Sequence, residues 1–100
     1  MRKQVYTEYV RYMLQFYFQN PDKTSFLNDR DRINWKTCDK VIKRVSHNDR
    51  TVFKFVYGEF DTIADNVYVL SKINAINQNV IWNMLHKLEK EVAIERGMWV

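Results

Sequence analysis

The sequence predicts an all-α fold, a bundle of about five helices whose last two form a helix-turn-helix. Only two glycines and one proline occur in 100 residues, which leaves little turn chemistry for the hairpins of an all-β fold. Apolar residues instead recur at the helical spacing of three and four along the chain. Length and a hydrophobic content of 46% indicate one domain, with supporting helices in 1–60 and the helix-turn-helix in 61–97.

The first predicted helix covers 5–18 and is rich in aromatic residues. Its apolar side chains occupy more than half of the helix circumference, so we expect contacts on several sides. It should end near Asn20, because Pro21 disfavours helical geometry in the residue before it. The helix is either the central helix of a small core, which is the commoner arrangement, or a seam for a dimer or another partner.

The second helix should begin near Asp29 or Asp31, and it is the most clearly amphipathic segment of the chain. One side is apolar, with Trp35, Cys38, Val41, Ile42 and Val45. The opposite side is basic, and it either contacts the DNA backbone beside a groove, docks on an acidic protein, or is merely solvated. The basic residues are Arg32, Lys36, Lys40, Lys43 and Arg44, followed by His47.

Capping patterns locate the third helix, whereas periodicity alone locates the fourth. Ser46 with Asp49 three residues later resembles a capping box, and Gly58 is a suitable end for the third helix. A fourth helix over 62–73 would bury Ile63, Val67, Leu70 and Ile73. Its segment 67–70 is also compatible with a short strand.

Residues 70–84 combine the features of a helix-turn-helix. Ser71 supplies a small side chain where two helices cross, and Ala75 supplies a small residue in the turn. Asn77 is a good N-cap, and Ile76 before it can close on Ile81 as a hydrophobic staple. Asn74 stands where an apolar residue is expected, a place that neighbouring Ile73 can take. Met84, Leu85, Leu88 and Val92 continue the buried stripe of the last helix, which should end at Gly97.

The outward side of the last helix carries the candidate DNA-binding residues. Amide side chains can bond adenine bidentately, which favours Gln78, Asn79 and Asn83 for base contacts, while Lys87 and Lys90 suit phosphates. The alternative is that these are solvated polar residues of an exposed helix face. The complete set is Gln78, Asn79, Trp82, Asn83, His86, Lys87 and Lys90.

The distribution of charge favours a second hypothesis. The net charge is +4, but residues 1–60 hold twelve basic and seven acidic residues, whereas residues 61–100 hold four and five. Phosphate neutralisation supplies much of the affinity of a DNA complex, so this surplus lies in the wrong half for a simple DNA reader. The chain could instead be an interaction module that binds RNA polymerase or another regulator through its first two helices.

Other classes of function lack their characteristic residues. The single cysteine, Cys38, lies on an apolar side and is expected to be an inert buried thiol. His47 and His86 have no second ligand at zinc spacing, and no phosphate loop or nucleophile elbow occurs, so we expect no enzyme, no metal and no cofactor. Neither a signal peptide nor a membrane span is evident, which indicates a cytoplasmic protein without a membrane partner.

The C-terminal half resembles a known family. The resemblance rests on VFKFVY at 52–57, LSKINAINQNVI at 70–81 and KLEKEVA at 87–93. These segments are similar to the sigma-factor region-4 type of helix-turn-helix in small late-transcription regulators of phages of Gram-positive bacteria, the group that includes the RinA and ArpU activators. The resemblance covers roughly residues 41–95. Abundant Asn, Lys, Ile and aromatic residues, with only three Ala, are typical of an AT-rich genome.

The resemblance implies that the helix after Asn77 is a recognition helix for double-stranded promoter DNA in a bacterial host. Gln78, Asn79, Asn83 and Lys87 would face the promoter, and the first helices would contact polymerase or the second subunit of a homodimer. The recognition helix departs from the family pattern because it has no arginine and less positive charge. A relative that keeps the scaffold but binds a protein, such as a phage regulator, is therefore the alternative.

Overall fold

The computed structural model describes residues 3–21 and 28–98, with side chains from Tyr6 onward in the first range. Within these ranges the chain forms five helices and no strand, which confirms the all-α prediction and excludes the strand alternative for 67–70. The segment PDKTS at 21–25 is predicted from its sequence to be a loop, and residues 22–25 of it lie outside the described residues. The helices are α1 (Lys3–Gln19), α2 (Asp29–Ile42), α3 (His47–Gly58), α4 (Ile63–Asn74) and α5 (Gln78–Glu95).

Four of these helices begin at a polar residue whose side chain accepts a backbone N–H of the first turn. Ser46 accepts from Asp49 and Asn77 accepts from Asn79, so both predicted caps are confirmed. Asn28 and Thr62 cap α2 and α4 in the same way. These caps satisfy donors that have no partner inside the helix, which is why the chain enters each helix at these residues.

Helix α1 is the central helix, packed against α2, α3 and α5. Val10, Met13 and Leu14 on its inner side are fully buried, and they join the core that the other four helices share. Tyr12 on its outer side remains 47% exposed. The structure therefore supports the core alternative for this aromatic helix, because three neighbouring helices cover most of its circumference.

Two details of the predicted elements are wrong. Ile73 is 70% exposed instead of buried, because the buried side of α4 runs through Val67, Leu70 and Ser71. Asn74 is exposed as well, and it donates a hydrogen bond to the Leu70 carbonyl. His47, predicted to continue the basic side of α2, belongs to α3, since α2 ends at Ile42.

Candidate nucleic-acid interface

A tight turn joins α4 to α5 and sets the direction of α5. Ala75 ends α4 in the left-handed region, with φ 53° and ψ 42°. The backbone N–H groups of Ala75 and Ile76 both donate to the Ser71 carbonyl, and the Ser71 hydroxyl donates to the Ile76 carbonyl. The Ser71 side chain thus closes the turn. It is also buried, as expected for a small residue where two helices cross. Ala75 holds this left-handed conformation at a cost, because glycine adopts it more readily than a residue with a Cβ atom.

Helix α5 leaves one polar side open to solvent. Asn79, Asn83, His86 and Lys90 are exposed and follow each other at spacings of four, three and four residues. They form one stripe about 17 Å long, at 1.5 Å per residue. With the adjacent exposed Lys87, they define what we name the outward face of α5. A helix face of this length spans the width of a B-DNA major groove, about 12 Å.

The amide side chains of the outward face are available to an external partner. Within the described ranges, the side chains of Asn79 and Asn83 have no hydrogen-bond partner. The Asn77 side chain is occupied as the N-cap of α5. Gln78 is half-buried, so Asn79 and Asn83 are the two fully presented amides of the predicted set.

Trp82, like Gln78, is half-buried, whereas the other residues of the predicted set are exposed. The Arg11 guanidinium of α1 lies over its ring, 5.6 Å from the centroid. The His86 ring lies beside it, with the centroids 6.1 Å apart. Trp82 therefore packs α5 against α1, and His86 marks the border between this packed region and the outward face.

A buried carboxylate that sequence reasoning missed anchors the flank of α5 that packs against α1 and α3. One oxygen of Glu89, Oε2, accepts hydrogen bonds from Tyr57 Oη at 2.6 Å and from Arg11 Nε at 2.9 Å. The Glu89 side chain is only 3% exposed. Burial, together with the negative charge of Glu89, raises the pKa of Tyr57 well above its ordinary value. The signal was present in the sequence, since Glu89 falls between Leu85, Leu88 and Val92 on the apolar side of the helix.

The predicted basic side of α2 is largely engaged in ion pairs. Lys40 and Arg44 both contact Glu95 at the end of α5, at 2.9 and 3.3 Å, and the hydrogen bond and charge of Lys40 lower the pKa of that carboxyl. Lys43 pairs with Asp39 at 2.8 Å, and Arg32 pairs with Asp29 at 3.0 Å. Of the five predicted residues, only Lys36 has no ion pair within the described part of the chain.

The ion pair with Glu95 places Lys40 away from the amides of α5. Glu95 follows Asn79 by sixteen residues, which is about 24 Å along the helix. Arg44, which also pairs with Glu95, lines a shallow groove together with Lys87, Ser46 and Asp49. The structure thus brings one predicted α2 residue, Arg44, next to the outward face of α5.

A second groove runs between α3 and the turn that precedes α5, and sequence reasoning missed it. It has a volume of about 360 Å³ and is mainly apolar. Ile76 and Val80, which are 38% and 51% exposed, line it opposite His47 and Asn48 in the first turn of α3. The periodicity offered one signal, since Val80 lies between Asn79 and Asn83 on the polar side of α5.

The other predictions from the sequence concern the cysteine, metal binding and membrane spans. Cys38 is fully buried, as expected, and burial raises the pKa of its thiol to about 12. Among the residues described, no three His, Cys, Asp or Glu side chains are grouped to hold a metal ion. None of the described helices is long and apolar enough to cross a bilayer.

Comparisons of this chain with protein-family models, with curated proteins and with solved structures find no match.

Proposed function

We propose that this protein is a DNA-binding transcriptional regulator of phage or mobile-element type that acts on late genes, with α5 as its recognition helix. The observation that carries the proposal is the outward face of α5, which presents unpaired amides directly after the turn closed by Ser71 and Ala75. Amides near the start of a recognition helix are the groups that reach base edges in helix-turn-helix complexes. The resemblance to sigma-factor region 4 stays a prediction.

The charge count of residues 61–100 argues against DNA binding, but two of the carboxylates in that count are paired with cations of the first half of the chain. Residues 61–100 contain five acidic residues, but Glu89 and Glu95 are neutralised by Arg11, Lys40 and Arg44 from the first half of the chain. Their negative charge therefore does not face a ligand on the outward face of α5. In the shallow groove that Lys87 lines, the acidic side chains are Asp49 and Glu91.

The surroundings of the outward face supply groups that suit phosphates. Lys87 has no ion pair within the described ranges, whereas Arg44 in the same shallow groove is already paired with Glu95. The first turn of α3, with exposed His47 and Asn48, lies across the second groove from the start of α5. Helix N-termini favour anions because their backbone N–H groups and dipoles point outward.

The proposal is tested by fluorescence-anisotropy titration of the purified protein with labelled duplexes of random sequence and of its own upstream region. Titrations at about 50 and 200 mM salt measure the phosphate contribution, because the logarithm of the affinity falls with the logarithm of salt concentration in proportion to the phosphates neutralised. We expect saturable binding that weakens with salt and prefers one sequence. Absence of binding at micromolar protein at the lower salt concentration would overturn the proposal.

An exposed apolar surface on α4 favours a second candidate, an interaction module that modulates RNA polymerase or another regulator without contacting DNA. Tyr68, Val69 and Ile73 are 51%, 41% and 70% exposed, and exposed aliphatic clusters commonly mark protein contacts. Pull-down with purified bacterial RNA polymerase tests this candidate. Retention by the wild-type chain and its loss in Ile73→Asp would favour it, provided that the variant keeps its helical circular dichroism spectrum.

A further inference from the structure

From the side chains at the start of α5, we infer that the proposed DNA reader selects A·T base pairs and contacts the methyl groups of thymine. This inference rests on the proposed function. Asn79 and Asn83 are exposed amides, and Val80 between them is 51% exposed. An amide bonds the N6 and N7 groups of adenine bidentately, and an aliphatic side chain contacts the C5-methyl group of thymine.

The first turns of α5 also lack the groups that would read guanine. The common guanine contact uses Arg or Lys on O6 and N7. The first cation of α5 is Lys87, about 12 Å along the helix from Asn79. The tip of the helix therefore carries adenine-type and thymine-type contacts and no guanine-type contact.

Ile76 extends the apolar part of this surface. It lies in the turn before Asn77, the N-cap of α5, is 38% exposed, and lines the same groove as Val80. The core of the protein leaves both of these aliphatic side chains partly exposed. Contact with two methyl groups on adjacent thymines would bury both side chains.

Three pools of 24-base-pair duplexes test the inference directly. The first pool contains random sequences of A and T, the second contains random sequences of G and C, and the third repeats the first with deoxyuridine in place of thymidine. We expect the A·T pool to bind at least fivefold more tightly than the G·C pool, since each lost bidentate contact weakens binding by about 5- to 150-fold. Replacing thymidine by deoxyuridine should weaken binding about fourfold for each buried methyl group that is lost.

Variants assign one of the methyl contacts to Val80. Val80→Ala should weaken binding to the thymidine pool and reduce the difference between thymidine and deoxyuridine by about fourfold, the value of one methyl group, while the contact of Ile76 keeps the remainder. Ile94→Ala removes an equally exposed aliphatic side chain at the far end of the same helix, and it should keep that difference. Equal binding of the A·T and G·C pools, or full sensitivity to deoxyuridine in Val80→Ala, would overturn the inference while leaving the proposed function intact. Failure to bind any pool would overturn both.

Discussion

The hydroxyl of Tyr57 on α3 donates a hydrogen bond of 2.6 Å to the carboxylate of Glu89 on α5. The same carboxylate oxygen accepts from Arg11 on α1, so one buried side chain joins three helices. Glu89 lies on a buried flank of α5 that contacts α1 and α3, beside the outward face. The buried network therefore fixes how α5 is rotated, and with it which residues face solvent.

Glu89→Ala should destabilise the protein by about 3 kcal/mol, because it leaves the buried Tyr57 hydroxyl without an acceptor and Arg11 without its counter-ion. Urea denaturation followed by circular dichroism measures this change. Glu91→Ala, on the exposed side of the same helix, is the matched control and should change the free energy of unfolding by less than about 0.5 kcal/mol. Similar values for the two variants would show that the network does not stabilise the fold.

Ala75→Gly should stabilise the protein by about 1 kcal/mol. Ala75 has a φ of 53°, a left-handed conformation that costs an L-residue with a Cβ atom about 1–2 kcal/mol and costs glycine very little. Thermal unfolding of the two proteins gives the comparison. Ala64→Gly, at an exposed position of α4 with ordinary helical geometry, should not stabilise the protein, and an equal gain in both variants would contradict the explanation.

Asn79→Ala and Asn83→Ala should each weaken binding to the preferred duplex by about 1–3 kcal/mol, which is the usual value of a bidentate base contact. The measurement is anisotropy titration at fixed salt. Gln15→Ala removes an amide of similar chemistry from a different helix, α1, and should leave the affinity unchanged. If a folded double variant binds the preferred duplex as tightly as the wild type, these amides are not base contacts.

Lys87→Ala should weaken binding to all duplexes alike and reduce the slope of log affinity against log salt by about 1, because one phosphate contact is lost. Titrations at four or more salt concentrations give the slope. Lys54→Ala removes an exposed lysine of α3 that lies beside Gly58 and Phe18, away from α5, and should keep the slope of the wild type. If Lys87→Ala weakened binding to the preferred duplex alone, the result would instead indicate that Lys87 reads a base.

The free energy of unfolding should fall by about 2 kcal/mol or more between pH 8 and pH 10.5. Burial raises the pKa of the Cys38 thiol from 9.0 to about 12, and burial with the charge of Glu89 raises the pKa of Tyr57 above 10. The folded state keeps these protons while the unfolded chain releases them, so stability is complete below about pH 9 and is lost as the pH rises. Urea unfolding across this range measures the decline.

Cys38→Ala provides the control for this pH dependence. Without the thiol, the decline should begin about one pH unit higher, where the tyrosines of the unfolded chain start to ionise. A free energy of unfolding that stays constant up to pH 10.5 in the wild type would contradict the assignment of these buried groups.

The parts of the fold that were predicted correctly depend on neighbours in the sequence. The Ser46 and Asn77 caps each bond a backbone N–H two or three residues away, so their pattern is visible in the chain itself. The burial of Cys38 and the helical state of 62–73 follow from periodicity in the same way. Ile73 was misplaced because a stripe of four apolar residues does not show which side of a short helix turns inward at its end.

The parts that were missed depend on contacts between distant residues. The Arg11 to Glu89 contact joins positions 78 residues apart, and the Arg44 to Glu95 contact joins positions 51 apart. From the sequence, the α2 cations could serve DNA, an acidic protein or solvent. In the folded chain Lys40 and Arg44 both contact one carboxylate of α5.

By itself the sequence determined the all-α class, the starts of the capped helices and the polar side of α5, because helix periodicity and capping act over three to four residues. Only the tertiary structure decided which charges remain open to a ligand, that Glu89 is buried, and that Ile76 and Val80 are exposed beside the amides. Those outcomes depend on which helices pack together, because a charge or an apolar side chain is neutralised or covered only by the residues that folding brings to it.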